Sequence, residues 1–210
     1  SLFSFFPAYE QVETFRRKAE AETAAVGTRP FIRLEKGLTF DDVSFSYPGR
    51  GEVLSHLSLT VEKGSVVAMV GESGSGKSTL IDLVLGLVEP TSGRILCDGV
   101  PLGEFAAASY RERLGYVPQK SELFHMRPDM LILDEATSSL DSRSESMIHD
   151  AIAKIASTTT VLVIAHRLST IVNADKVYVM KSGRVIEHGR FENLISQGGE
   201  FARLAELQRF

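Results

Sequence analysis

The sequence is poor in the features of disulfide-bonded, membrane-spanning and nucleic-acid-binding chains. Its single cysteine, Cys97, excludes an internal disulfide, which fits a reducing compartment. Its apolar runs stay well short of the ~20 residues that a membrane-spanning helix needs. Acidic residues (27) outnumber basic ones (23), and this balance argues against a nucleic-acid partner because duplex binders usually carry a basic face. The 210 residues, 43% of them hydrophobic, fit one globular domain with an appended arm.

Residues 1–30 differ in character from the rest of the chain. Their charged stretch predicts a helix with a thin apolar stripe, formed by Val12, Phe15 and Ala19 at positions i, i+3 and i+7. Pro30 breaks this pattern. We expect these residues to form a linker arm ahead of the globular domain.

Two kinds of strand pattern follow the arm. In the first, apolar residues alternate with polar ones, as in half-exposed antiparallel strands. These apolar residues are Leu38, Phe40, Val43, Phe45, Leu57, Leu59 and Val61. In the second, the apolar run is continuous, which is typical of parallel strands buried on both faces. These runs cover residues 65–70, 130–133 and 160–165.

Helices are expected between these buried strands and at the end of the chain. The predicted helices cover residues 78–86, 144–156 and 191–208, and a hairpin is predicted over residues 176–187. The alternation of buried strands with helices predicts an α/β fold with a mostly parallel sheet flanked by helices. The alternating strands predict an antiparallel β subdomain on its N-terminal side.

The loop Gly71-Glu72-Ser73-Gly74-Ser75-Gly76-Lys77-Ser78 matches the phosphate-binding pattern G-x-x-x-x-G-K-[ST]. Its glycines let the backbone approach phosphate oxygens, and the following helix offers unpaired N–H groups to the same oxygens. Lys77 is placed to reach the β- and γ-phosphates, Ser78 to ligate Mg²⁺, and Thr79 to bond near the α-phosphate. A chance Gly/Ser-rich loop is disfavoured, because an apolar strand and an apolar-periodic helix flank it as the motif requires. The sequence therefore predicts a nucleoside triphosphate site in a P-loop NTPase core.

Polar side chains also follow the other two predicted buried strands, 130–133 and 160–165. Ligands of open α/β sheets lie beyond the carboxyl ends of the strands, so Asp134 could hold Mg²⁺ and Glu135 could act as the general base for hydrolysis. The alternative is that this pair caps the next helix. His166 follows the buried strand 160–165, and its position alone leaves open whether it is structural or catalytic.

Together these residues resemble the nucleotide-binding domain of an ABC transporter, over residues 31–210. The matching segments are, in order, Phe45-Ser46-Tyr47-Pro48, Walker A at 71–79, the Q-loop Tyr116-Val117-Pro118-Gln119, Walker B at 131–135 and the D-loop Ser139-Leu140-Asp141. The resemblance implies that Tyr47 stacks on adenine, which makes the nucleotide ATP. It also implies that Gln119 reaches the metal and the attacking water, and that His166 contacts the γ-phosphate.

The segments 134–141 and 165–170 are similar to those of exporters, whose membrane and nucleotide domains are fused in one chain. This resemblance implies that residues 1–30 follow a removed transmembrane domain and that the ATPase lies on the cytoplasmic face of a membrane. It further implies two kinds of partner: a second nucleotide-binding domain, in a homodimer or heterodimer, and the transmembrane domains. The implied function is ATP hydrolysis that powers export. A soluble ABC-type ATPase that acts on nucleic acid fits the acidic balance less well.

One motif of the resembled family is missing, the LSGGQ-like signature that opens a helix of the helical subdomain. It belongs between Gln119 and Asp134, which are only 15 positions apart (134 − 119), and the flanks join near His125 and Met126. Either the sequence omits residues that the protein has, or the protein truly lacks them; we favour omission because both flanks match. A chain truly without this segment is expected to bind ATP but to hydrolyse it poorly, because that helix supplies N–H donors to the γ-phosphate across the dimer.

Overall fold

A computed structural model describes residues 27–49, 51–118, 128–134, 154–155, 158–165 and 171–207. Within these residues, ten strands form two sheets, and helices pack against them. The predicted arm helix lies outside the described residues. The helix predicted over 144–156 is described only at residues 154–155, which are helical. In the described ranges no helix has the length and apolar character needed to cross a membrane.

The first sheet is antiparallel and contains the alternating strands. Its members are β1 (Gly37–Ser46), β2 (Glu52–Glu62), β4 (Ser92–Cys97) and β5 (Val100–Pro101), in the spatial order β2-β1-β4-β5. The predicted alternation in β2 is confirmed, since Leu57 and Leu59 are buried while the alternating residues His56 and Ser58 are exposed. Strands β4 and β5 extend the antiparallel subdomain beyond the strands that the pattern predicted.

The second sheet is mostly parallel and contains the continuously apolar strands. Its members are β3 (Val66–Gly71), β6 (Leu114–Val117), β7 (Met130–Asp134), β8 (Thr160–Ile164), β9 (Lys176–Lys181) and β10 (Arg184–Gly189). The spatial order is β10-β9-β3-β8-β7-β6, and only the hairpin strand β10 runs antiparallel to its described neighbour. The predicted fold class, an α/β core with a mostly parallel sheet and an antiparallel subdomain, is confirmed.

The described helices are α1 (Lys77–Val84), α2 (Ala107–Arg111), α3 (Phe191–Gln197) and α4 (Glu200–Leu207). The prediction of one continuous helix over residues 191–208 is wrong. Gly198 adopts a left-handed conformation (φ 65°) that ends α3, as glycine commonly does at helix C-termini. The Glu187 carboxylate then accepts hydrogen bonds from the backbone N–H groups of Glu200 (2.6 Å) and Phe201 (3.0 Å) and so starts a second helix.

The parallel sheet is buried on both faces, which explains its continuous apolar runs. One face packs on the antiparallel subdomain and on α1, in a core that includes Phe40, Leu80 and Ile132. The other face packs on the C-terminal helices, through Leu194 and Phe201. This arrangement fixes α1 against one face of the sheet and exposes the loop before it at the carboxyl edge.

Candidate nucleotide site

The phosphate-binding loop lies between β3 and α1, as the motif predicts. Gly76 immediately precedes α1, and its left-handed backbone (φ 103°) turns the chain from the loop into the helix. In this described region, α1 has no side-chain cap and no acidic residue in its first turn. Its first N–H groups and its positive dipole end therefore face the loop without a carboxylate of the helix's own first turn to neutralise them.

Lys77 is the only buried lysine among the described residues, with 6% of its surface exposed. Its ammonium group donates hydrogen bonds to the backbone carbonyls of Gly71 (2.8 Å) and Glu72 (2.9 Å), across the loop. These contacts keep a positive charge inside the turn that the glycines form. A buried charge is retained only with strong partners, and a phosphate oxygen is an anionic partner for the same group.

The other residues of the loop differ in their exposure to solvent. Ser73, Gly74 and Ser78 are exposed, whereas Ser75 and Thr79 are buried. The exposed Ser78 hydroxyl is open to a metal or a ligand. The Thr79 hydroxyl lies 3.4 Å from the Tyr47 hydroxyl, and its predicted bond near the α-phosphate stays a prediction.

Two elements far away in sequence hold the loop from outside. The β9–β10 turn donates the Gly183 N–H to the Ser75 carbonyl at 3.1 Å. Helix α4 contributes Arg203, which pairs with the Glu72 carboxylate at 2.6 Å. Arg203 also bonds Glu200, and this bond, with a second from Lys181, lowers the pKa of Glu200 from near 4.5 to about 2. Sequence reasoning did not find these contacts, because Arg203 and Glu72 are 131 positions apart.

Asp134 ends strand β7 at the same edge of the sheet as the phosphate loop. The register aligns Met69 of β3 with Ile164 of β8, and Ile164 with Asp134. Neighbouring strands lie ~4.8 Å apart, so the Asp134 backbone is roughly 10 Å from Met69, two residues before the loop begins at Gly71. The predicted meeting of these two strand ends at one edge is therefore observed, although a metal role for Asp134 stays a prediction.

Tyr116 contacts Asp134 and was not assigned a role by sequence reasoning. It lies on β6, and its hydroxyl donates a hydrogen bond to Asp134 Oδ2 at 3.1 Å. Burial is the main cause that raises the pKa of Tyr116 above its ordinary value, and the charge of Asp134, the hydrogen bond and the charge of Asp82 act in the same direction. The phenol therefore stays protonated and remains a donor.

Tyr47 follows strand β1 and lies against helix α1. Its ring meets Phe45 edge-on, with 4.8 Å between the ring centroids, and its hydroxyl donates to Asp82 Oδ2 at 2.9 Å. The ring is half-buried, so part of its surface remains available to a base. The role in adenine stacking stays a prediction.

Three predicted residues, Gln119, Glu135 and His166, lie outside the described residues, as does the D-loop 139–141. The described donors fit the predicted ligands by their chemistry. Hydroxyl and carboxylate oxygens, as in Ser78 and Asp134, are the ligand types that Mg²⁺ takes. The described part of the chain has no cluster of three or more His, Cys, Asp or Glu side chains for a metal. Mg²⁺ usually binds through one or two protein side chains plus phosphates and water, so its predicted site does not require such a cluster.

Comparison with known proteins identifies relatives of the chain. A family model described as ABC transporter matches residues 54–127. The chain is 38% identical to ABC transporter B family member 26, chloroplastic, from Arabidopsis thaliana, over 99% of this chain and 40% of that protein. It is 36% identical to the ATP-dependent lipid A-core flippase of Chromobacterium violaceum, over 81% of this chain and 41% of that protein. A solved structure of a bacterial Atm1-family ABC exporter with ATP bound matches with a TM-score of 0.81 and 30% identity, over 96% of this chain and 47% of the other. The chain thus spans less than half the length of these relatives.

The alignment to the Arabidopsis protein also bears on the missing signature. It runs over 279 positions, whereas the chain has 210 residues, so at least 69 positions (279 − 210) have no counterpart here. The family match stops at residue 127, beside the join predicted near His125 and Met126. The relative therefore carries residues within the aligned region that this sequence lacks. Their identity with the helical subdomain stays a prediction.

Proposed function

Because the chain belongs to the ABC transporter family and carries its exporter-type, ATP-hydrolysing domain, we propose that it binds ATP with Mg²⁺ and hydrolyses it to power export across a membrane. The observation that carries this proposal is the meeting of two strand ends at one edge. The buried Lys77 ammonium and the open α1 N-terminus lie there, together with the Asp134 carboxylate. A cationic cradle beside a carboxylate suits a triphosphate bound with a metal.

The roles follow from the chemistry of each side chain. Tyr47 stacks on adenine, and the loop 71–79 with Lys77 holds the phosphates. Ser78, Asp134 and Gln119 hold Mg²⁺, which when bound supplies charge neutralisation at the phosphate oxygens. Glu135 takes the proton of the attacking water, as its position after the buried strand predicts. His166 contacts the γ-phosphate. The roles of Tyr47, Gln119 and His166 rest on the family resemblance.

The partners proposed for the chain also follow from the family. A lipid A-core flippase and an ABC exporter are among the relatives, so the proposed domain works with transmembrane domains on the cytoplasmic face of a membrane. A second nucleotide-binding domain, identical or different, closes on it around two nucleotides. The exported substrate is chosen by the membrane domains and is not specified by these residues.

Removing the charge of Lys77 tests nucleotide binding. Lys77→Met keeps the buried stem but removes the ammonium donor. Charge-assisted hydrogen bonds contribute about 1.5–3 kcal/mol, so ATP affinity measured by calorimetry should fall about 10- to 150-fold. Lys63→Met, at an exposed position in the β2–β3 turn, is the control and should leave affinity unchanged. Equal affinities for the two variants would exclude the phosphate role of Lys77.

Replacing Glu135 tests hydrolysis separately from binding. Glu135→Gln should retain ATP affinity and abolish phosphate release, because the amide cannot accept a proton from water. Glu104→Gln, at an exposed site, is the control and should hydrolyse like the unaltered chain. An unaffected rate in Glu135→Gln would remove Glu135 from the mechanism.

The alternative function is an ATP-binding module with impaired hydrolysis. It is favoured by the aligned positions, at least 69, that have no counterpart in this sequence. Intact mass decides its premise: a mass of 23.0 kDa means that the segment is truly absent, and a clearly larger mass means that the sequence omits it. If the segment is truly absent, ATP should bind while phosphate release stays close to background. A second copy of the same chain should not restore hydrolysis, because it lacks the segment too.

A further inference from the structure

We propose that Tyr116 is a positioning residue for the magnesium site, which it serves by fixing the Asp134 carboxylate through its hydroxyl. The inference rests on the proposed function, since it takes Asp134 as a holder of the metal. It adds a residue that the phosphate-loop and strand-end motifs do not include.

The sheet register places Tyr116 where it can do this. Tyr116 on β6 pairs with Ile132 on β7, two residues before Asp134. Side chains two residues apart on a strand share a face, so Tyr116, Ile132 and Asp134 all point to the side of the sheet that packs on α1. The long phenol ring spans the diagonal step, and its hydroxyl reaches Asp134 Oδ2 at 3.1 Å.

The bond restricts the orientation of the Asp134 carboxylate. A carboxylate has two side-chain torsions, and a donor on one of its oxygens favours the orientations that keep that hydrogen bond. The Tyr116 ring cannot follow such a rotation, because it packs against the buried core of the sheet. Groups that orient a metal ligand in this way typically change metal affinity 10- to 100-fold when they are removed.

A purely structural role would have a different signature. If the hydroxyl only satisfied a half-buried carboxylate, its removal would lower the stability of the fold but would not change metal binding in a folded chain. The structure offers a matched control for this reading. Tyr110 on α2 is buried in the same core, and its hydroxyl donates to the Val84 carbonyl at 2.8 Å, at the opposite end of α1 from the phosphate loop.

The experiment compares Tyr116→Phe with Tyr110→Phe in the full 210-residue chain, with Mn²⁺ as the probe. Free Mn²⁺ is measured by electron paramagnetic resonance with ATP kept below the concentration of the chain, so that unbound ATP does not compete for the metal. ATP affinity is measured separately in EDTA. Tyr116→Phe should weaken Mn²⁺ binding about 10-fold and leave metal-free ATP affinity within 2-fold. Tyr110→Phe should lower the melting temperature and leave both affinities unchanged.

Asp134→Asn separates failure of this proposal from failure of the proposed function. If Asp134→Asn weakens Mn²⁺ binding and Tyr116→Phe does not, the positioning role of Tyr116 is overturned and the metal role of Asp134 stands. If Asp134→Asn leaves Mn²⁺ binding unchanged, the metal role of Asp134 is wrong and the proposal for Tyr116 falls with it. The proposal would also be overturned if Tyr116→Phe weakened metal-free ATP binding as much as it weakens Mn²⁺ binding, because that result would indicate a distorted site.

Discussion

Tyr47 has two chemically separate parts, and the structure predicts a separate consequence for the loss of each. Its hydroxyl donates to Asp82 at 2.9 Å, and its ring is the predicted contact for adenine. Tyr47→Phe removes the first and keeps the second. Tyr47→Ala removes both. The difference between the two variants therefore isolates the ring.

The two magnitudes can be worked out in advance. A hydrogen bond to a charged group contributes about 1.5–3 kcal/mol, and half-exposure of both partners places this one near the lower end. Tyr47→Phe should therefore lower the free energy of unfolding by about 1–2 kcal/mol. Stacking of a base on an aromatic ring contributes about 1–3 kcal/mol, so Tyr47→Ala should weaken ATP binding about 5- to 150-fold.

Urea unfolding and calorimetric titration measure these two effects. Tyr47→Phe should bind ATP within about 2-fold of the unaltered chain, since a phenyl ring stacks as a phenol does. Tripolyphosphate, which has no base, should bind all three chains equally. Asp82→Asn should lower stability as Tyr47→Phe does, and the double variant should lose less than the sum of the two.

An equal loss of ATP affinity in Tyr47→Phe and Tyr47→Ala would refute the stacking role of the ring. The hydroxyl and its bond to Asp82 would then carry the nucleotide contact, and the ring would not. Loss of tripolyphosphate binding in Tyr47→Ala would also contradict it, because it would show that the phosphate loop had been disturbed.

Three further predictions concern the loop and its surroundings. Gly76→Ala should lower the free energy of unfolding by about 1–3 kcal/mol in urea, because alanine is strained at φ 103° and its Cβ would lie 2.6 Å from a Leu54 methyl group. Glu200→Gln should lower the melting temperature above pH 5, where the carboxylate is ionised in both folded and unfolded chains. That deficit should shrink as the pH falls from 5 towards 2, because the pKa of Glu200 is near 4.5 unfolded and about 2 folded; a pH-independent deficit would contradict the ion pair with Arg203. Burial, with a smaller effect of the Asp98 charge, raises the pKa of Cys97 to about 12, so a thiol reagent at pH 8 should label it only as fast as the fold opens; immediate labelling would contradict its burial.

Local patterns predicted much of the fold because each reports an immediate environment. Continuous apolar runs gave β3, β7 and β8, since strands covered on both faces need no polar side. The alternation of apolar and polar residues predicted β1 and β2, since a strand with one covered and one exposed face needs apolar residues on one side only. The short strand β6 was not identified, because its four residues are too few to show a period.

The C-terminal helix shows where a local pattern misleads. Helical spacing continues through residues 191–208, but Gly198 turns the chain and Glu187, from the preceding strand, caps the new helix. A cap supplied by a side chain from another element does not appear in the periodicity of the helix itself. The pattern therefore identified the helical character of the segment and not its division.

By itself, the sequence determined the phosphate loop, the buried strand that ends in Asp134 and the family to which the chain belongs. The loop and the strand are local features, since each is specified by a few consecutive residues and their immediate surroundings. The tertiary structure decided which other groups meet them: Asp82 at the Tyr47 hydroxyl, Tyr116 at Asp134, and Arg203 at the loop. These contacts depend on strand order, register and helix docking, which bring together residues that are far apart along the chain.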